Sequence, residues 1–114
     1  MSRGLGKVQR MCLTVLTEQD RLLDSIAVAA EALHRNLITE VEHVSFRRAL
    51  NKLKAQGKVV DMGRGFRHGR RCWAIPRVAK RYFDHKEKIF GKRFVDQDRR
   101  KSRFLPEYYP DMFE

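Results

Sequence analysis

The side chains with the clearest chemical potential in this chain are cations, and they are concentrated in one internal segment. Residues 45–81 contain 12 lysines and arginines and a single acidic residue, Asp61. The net charge of this basic segment, +11, equals the formal net charge of all 114 residues, so the two flanking segments together are neutral. A surface this positive attracts polyanions, because each neutralised phosphate releases condensed counterions. The segment therefore predicts binding to nucleic acid.

Catalytic and metal-binding patterns are missing from the sequence. It has no glycine-rich phosphate loop ending in Lys-Ser/Thr, no paired carboxylates at helical spacing in an expected cleft and no nucleophile motif with a base. Cys12 and Cys72 lack the spacing of zinc ligands, and we interpret both as small core residues in a reducing compartment. No shared face or partner carboxylate pattern connects the four histidines, His34, His43, His68 and His85. We expect a non-enzymatic protein without metal or cofactor.

Length and composition indicate one small domain. A chain of 114 residues, 42% of them hydrophobic, can bury a single modest core. No apolar run approaches the roughly 18 residues of a membrane span. The first residues lead into amphipathic sequence rather than a secretory signal, so we expect a cytoplasmic protein, nucleoid-associated if the source is prokaryotic.

Apolar spacing and end signals predict three helices up to the middle of the basic segment. The first covers residues 5–18, and the second covers residues 26–35, with Ser25 or alternatively Asp24 as its N-cap. Residues 37–44 are compatible with a turn or with the start of the next helix. The third helix is predicted over residues 45–56, ending at Gly57, because its apolar residues share one face: Phe46, Ala49, Leu50 and Leu53.

Two short strands with a cationic tip are predicted next. The first strand contains Val59, Val60 and Met62, and the second covers residues 72–75, where we expect Trp73 to pack in the core. Between them, residues 63–71 contain three glycines and four arginines, a composition typical of a flexible hairpin tip.

This order of elements resembles the winged helix-turn-helix family. The resemblance lies in residues 44–60, where a polar helix start, Arg48-Ala49-Leu50, Leu53, Gly57 and a β-branched pair follow one another. It covers residues 5–76 and implies a mainly α protein with a small β-hairpin, an α+β fold of three helices plus a wing. The sequence departs from the family pattern in the length of residues 36–44, and no short strand is evident before the second helix, at residues 19–24.

The resemblance implies a small transcriptional regulator whose third helix enters the major groove of double-stranded DNA. Arg48 and Asn51 are the implied base-reading residues, since Arg pairs with guanine O6/N7 and Asn pairs bidentately with adenine. The implied phosphate contacts on this helix are Ser45, which alternatively caps it, with Arg47, Lys52 and Lys54. The implied wing contacts, to backbone or minor groove, are Arg64, Arg67, His68, Arg70 and Arg71.

The last third of the chain predicts a fourth helix and a tail. Pro76 suits the first turn of an amphipathic helix that ends near Gly91 and either packs on the domain or joins two copies in a homodimer. We divide the chain into residues 1–76, 77–92 and 93–114, the last being a basic and then aromatic, acidic tail. Docking on this protein or its twin, a partner motif and disorder remain open for the tail's aromatic residues, Phe104, Tyr108, Tyr109 and Phe113.

Two other functions fit the same charge. One is a winged-helix module that grips an acidic protein partner. The other is RNA binding, although the basic segment lacks the stacked aromatic platform typical of single-strand binders. Competition by duplex DNA, and a comparison of duplex DNA, duplex RNA and single strands, separate the three functions.

Overall fold

The computed structural model describes residues 6–66 and 69–113, so Arg67 and His68, two predicted wing residues, lie outside the described residues. The described elements, in chain order, are α1 (Lys7–Gln19), β1 (Leu23–Asp24), α2 (Ser25–Leu33), α3 (Glu40–Ala55), β2 (Val60–Gly63), β3 (Cys72–Ala74), α4 (Pro76–Phe90), α5 (Lys92–Lys101) and a 3-10 turn (Pro110–Met112). The predicted α+β class, mainly helical with a small β element, is confirmed. Among the described helices, none combines the length and the apolar character needed to cross a bilayer.

The apolar faces of the helices meet the sheet in one core. The face predicted for α3 is buried as expected, and α1 contributes Cys12, Val15 and Leu16 to the same core. Both cysteines are buried, which confirms their interpretation as core residues. Burial raises the pKa of the Cys12 thiol to about 12 and that of Cys72 to about 11.

α3 begins five residues before the predicted start. Its N-cap is Thr39, whose hydroxyl accepts the Glu42 N–H at 3.2 Å while the Glu42 carboxylate accepts the Thr39 N–H at 3.0 Å. This capping box, with Glu40 and Glu42 in the first turn, satisfies backbone donors and complements the helix dipole. Of the two alternatives for residues 37–44, the start of the next helix is the one observed, from Glu40 onward. The predicted start at Ser45 is wrong, and Ser45 does not cap the helix because it lies inside it.

α2 closely follows its prediction at the N-terminus and ends early. Asp24 is its N-cap, since the Asp24 Oδ1 atom accepts the Ala27 N–H at 2.8 Å, and Ser25 is the first helical residue. The helix ends at Leu33, two residues before its predicted end at Arg35, because His34 adopts a left-handed conformation with φ of 55°.

In the described part of the chain, the sheet has three antiparallel strands in the order β1-β3-β2. Trp73 of β3 pairs with Leu23 on one side and with Asp61 on the other, and it is buried as predicted. The register shifts between Asp61 and Gly63, which bends β2 before the hairpin tip. A short strand before α2 therefore exists, although its two residues leave no pattern that sequence inspection would detect.

The C-terminal third packs on the rest of the protein. α4 begins at Pro76 as predicted and buries Val78, Ala79 and Phe83. The segment after Gly91 forms a further helix, α5, and the chain then returns to the core, where Phe104 and Tyr109 are buried. Of the three alternatives for the aromatic tail, docking on its own chain is the one observed.

Candidate nucleic-acid interface

The solvent face of α3 borders two clefts that separate the predicted site residues. The hairpin cleft, of about 550 Å³, lies between α3 and the β2–β3 hairpin and is lined by Arg47, Asn51, Lys54, Arg64, Arg70 and Arg71 together with Ser25, His43 and Asp61. The α1 cleft, of about 750 Å³, lies between α3 and the start of α1 and is lined by Ser45, Arg48, Lys52, Lys7 and Gln9. The outermost face of α3 is the ridge between these two clefts.

The two predicted base-reading residues lie on that ridge. Arg48 and Asn51 are both exposed, and three residues of helix separate them by about 60° around the axis. The Asn51 Nδ2 atom donates to the Arg47 carbonyl oxygen at 3.0 Å. A second amide hydrogen and the Oδ1 acceptor remain, and these are the groups that pair bidentately with adenine.

Asp61 connects α3 to the hairpin, and sequence reasoning assigned it no role. Its buried carboxylate accepts the Gly63 N–H at 2.9 Å, ion-pairs with Arg71 and lies 3.3 Å from the Lys54 Nζ atom. Two of the predicted phosphate-binding cations are thus already partnered by a carboxylate. The only sequence signal for this arrangement is that Asp61 is the single acid in the basic segment.

Polar contacts connect the start of α2 to the hairpin and to α3, beside the hairpin cleft. Arg70 lies 3.6 Å from the carboxylate of Asp24, the residue that caps α2. Ser25 Oγ and His43 Nε2 are hydrogen-bonded at 2.7 Å, and this bond joins the first residue of α2 to the fourth residue of α3. These contacts fix the spacing of α2, α3 and the hairpin around the cleft.

The tail contributes residues that the sequence analysis did not place near the basic segment. A third cleft, the tail cleft, of about 380 Å³, lies at the C-terminal end of α3 and is lined by Asn51, Lys54, Ala55, Gly57, Arg103, Tyr108 and Tyr109. The Tyr109 hydroxyl donates to the Val59 carbonyl oxygen at 2.8 Å and so fixes the tail there. Burial, and secondarily the negative charge of Asp61, raises the pKa of Tyr109. The need to bury aromatic side chains signals docking of the tail, but no sequence pattern indicates where it docks.

Comparisons with known proteins identify no relative of this chain. A scan against protein-family models, a search of curated proteins and a search of solved structures each returned no match.

Proposed function

We propose that this protein is a non-catalytic, sequence-specific binder of double-stranded DNA, built as a winged helix-turn-helix domain and acting as a small transcriptional regulator. The observation that carries the proposal is the hairpin cleft. There, two elements separated in sequence present cations to one solvent-facing surface: Arg47 and Lys54 from α3, and Arg64, Arg70 and Arg71 from the hairpin. Asp61 and Asp24 partner three of these five cations, so the surface keeps a net positive charge, and such a surface suits the phosphate backbone of a duplex.

The residue order around α3 supports insertion into the major groove, which admits an α-helix. At about 100° per residue, Arg47, Asn51, Arg48 and Lys52 follow one another around the exposed face. With α3 in the groove, the central pair, Asn51 and Arg48, would reach base edges. The outer pair, Arg47 and Lys52, would contact phosphates on the two groove walls. In this arrangement, the central pair would specify the DNA sequence, and the outer pair would position the protein on the DNA backbone.

The sheet supports the winged-helix proposal. A short strand before the second helix is part of the pattern that the family resemblance implies, and β1 supplies one, paired with β3. In this arrangement the β2–β3 hairpin is the wing. Because β1 lies directly before α2, the sheet also holds the wing against the helices.

Fluorescence anisotropy with random-sequence duplex DNA, titrated across salt, tests the function. We expect a Kd in the micromolar range or tighter, with log affinity falling steeply as log salt rises. Equal-length duplex RNA and single-stranded DNA serve as matched competitors. Absence of duplex binding at low salt contradicts the proposal and favours an acidic protein partner, whereas preferential competition by RNA favours RNA binding.

Selection of a preferred site from random duplexes tests the sequence specificity. A selected site should bind at least about tenfold more tightly than random DNA, since each well-read base pair contributes about 1–3 kcal/mol. A selection that returns no preferred sequence would limit the protein to non-specific binding.

A further inference from the structure

We propose that Arg103 and Tyr108, in the docked tail, form a phosphate-binding site that extends the DNA interface beyond the C-terminal end of α3. The ligand is a backbone phosphate of the same duplex. The inference depends on the proposed function, because it assigns two further contacts to the same DNA.

The tail is held in place across the end of α3. Besides the Tyr109 hydrogen bond to Val59, the Phe104 ring packs 5.6 Å from the Phe83 ring and 5.3 Å from the Tyr109 ring, between centroids. Gly57, just after α3, has φ of 71°, and a Cβ atom there would lie 3.4 Å from the Tyr108 carbonyl oxygen. The tail backbone and the end of α3 are therefore in close contact, and the residues between Phe104 and Tyr109 have a defined position.

The tail cleft is continuous with the proposed DNA surface. Asn51 and Lys54 line both the hairpin cleft and the tail cleft. A sugar-phosphate backbone that leaves the hairpin cleft along the end of α3 therefore meets Arg103 and Tyr108 next.

Arg103 and Tyr108 present suitable donors to such a backbone. The guanidinium carbon of Arg103 lies 5.8 Å from the centroid of the Tyr108 ring. Both residues are exposed, and Tyr108 retains 47% of its accessible surface. A guanidinium and a phenolic hydroxyl are both common donors to phosphate oxygens, and the guanidinium adds charge as well as geometry.

The backbone conformation of Arg103 allows the guanidinium to be removed by mutation without destabilising the fold. Arg103 has φ of 55° and lies just after the C-terminal end of α5, where the Phe104 N–H donates to the Arg99 carbonyl oxygen at 2.9 Å. Glycine is the favoured residue at such a left-handed position, because a side chain there costs conformational energy. Arg103→Gly removes the guanidinium while relieving the backbone, so we expect its melting temperature to equal or exceed that of the wild type.

The test is a salt titration of the full-length protein on one duplex of about 30 base pairs, read by anisotropy. Arg103→Gly should flatten the slope of log affinity against log salt by about 0.9, the value of one phosphate contact. Tyr108→Phe keeps the ring and should weaken binding roughly 2- to 10-fold, the equivalent of one hydrogen bond, without changing the slope. Arg93→Gln is the control, since Arg93 is exposed on α5 and lines none of the three clefts.

The outcomes separate this site from the proposed function. A wild type that binds duplex DNA while Arg103→Gly changes the slope no more than Arg93→Gln overturns the inference and leaves the function standing. The same titration is repeated on single-stranded DNA of equal length. A loss found there and not on the duplex also overturns the inference, because the tail would then hold an unpaired nucleotide. A wild type that binds no duplex overturns both.

Discussion

Asp61→Asn should lower stability and raise DNA affinity, because the same carboxylate holds the hairpin on α3 and neutralises cations of the proposed interface. The substitution removes the ion pairs with Arg71 and Lys54, whose side chains are 43% and 36% exposed and can be rehydrated. Each pair at that exposure contributes up to about 1 kcal/mol. The Asn oxygen can still accept the Gly63 N–H. We therefore expect the free energy of unfolding to fall by up to about 2 kcal/mol.

The effect on DNA binding has the opposite sign. Releasing Lys54 and Arg71 offers up to two additional phosphate contacts, which steepens the slope of log affinity against log salt by up to about 1.8. Urea unfolding measures the first effect, and anisotropy on random duplex DNA across salt measures the second. Asp84→Asn is the matched control, because it removes the same charge, and likewise two ion pairs, with Lys80 and Arg99, from a half-exposed position on α4 that lines neither of the clefts along α3.

One result would refute this reasoning. If Asp61→Asn binds random duplex more weakly than the wild type, with a flatter slope, while Asp84→Asn leaves both unchanged, then Lys54 and Arg71 depend on Asp61 for their position. In that case the carboxylate is a support for the interface rather than a competitor of the phosphates.

Three further predictions address the ridge of α3, the core and the assembly. Arg48→Ala or Asn51→Ala should cost about 1–3 kcal/mol on a selected site and much less on random DNA, and equal losses on both would remove them as base readers. Burial raises the pKa of Cys12 from near 9 to about 12, so the contribution of the buried thiol to stability is full below pH 9 and is lost as the pH rises towards 12. Urea unfolding from pH 9 to pH 12 measures this loss, and resistance of the thiol to iodoacetamide at pH 8 checks its burial. A homodimer on a two-fold DNA site remains a prediction, and Phe90, 57% exposed beside Ile89 at the end of α4, suits the contact between the two copies. Phe90→Glu should then convert the dimer to a monomer in analytical ultracentrifugation, and an unchanged sedimentation coefficient excludes this face.

Long elements with regular apolar spacing were predictable from the sequence, and their ends were less so. Phe46 and Leu50 define the buried face of α3 by periodicity alone. Its start was misplaced because Ser45 is a good capping residue in isolation, whereas the reciprocal bonds of Thr39 and Glu42 place the cap six residues earlier. β1 escaped prediction because it owes its existence to pairing with β3, which is a tertiary interaction.

The positive charge of the candidate site was predictable from the sequence, but the arrangement of its residues in space was not. The basic segment indicates where a polyanion would bind, and α3 and the hairpin do meet around one cleft. The pairing of Asp61 with Arg71, and the docking of Tyr108 beside the end of α3, depend on contacts across ten or more residues of sequence. No local pattern encodes such contacts, because they arise only when the core brings the elements together.

The net charge overstates the positive surface that the proposed DNA interface offers, because carboxylates already partner many of the cations. Among the described residues of the basic segment, six cations are engaged by carboxylates: Lys54 and Arg71 by Asp61, Arg70 by Asp24, Arg77 and Arg81 by Asp20, and Lys80 by Asp84. Within the described residues, no ion pair engages Arg47, Lys52, Arg64 or Arg103. Four phosphate contacts give a slope of log affinity against log salt of roughly −4, whereas all 12 cations would give about −11. A measured slope near −11 would mean that DNA displaces the internal carboxylates, and the interface would then form only on binding.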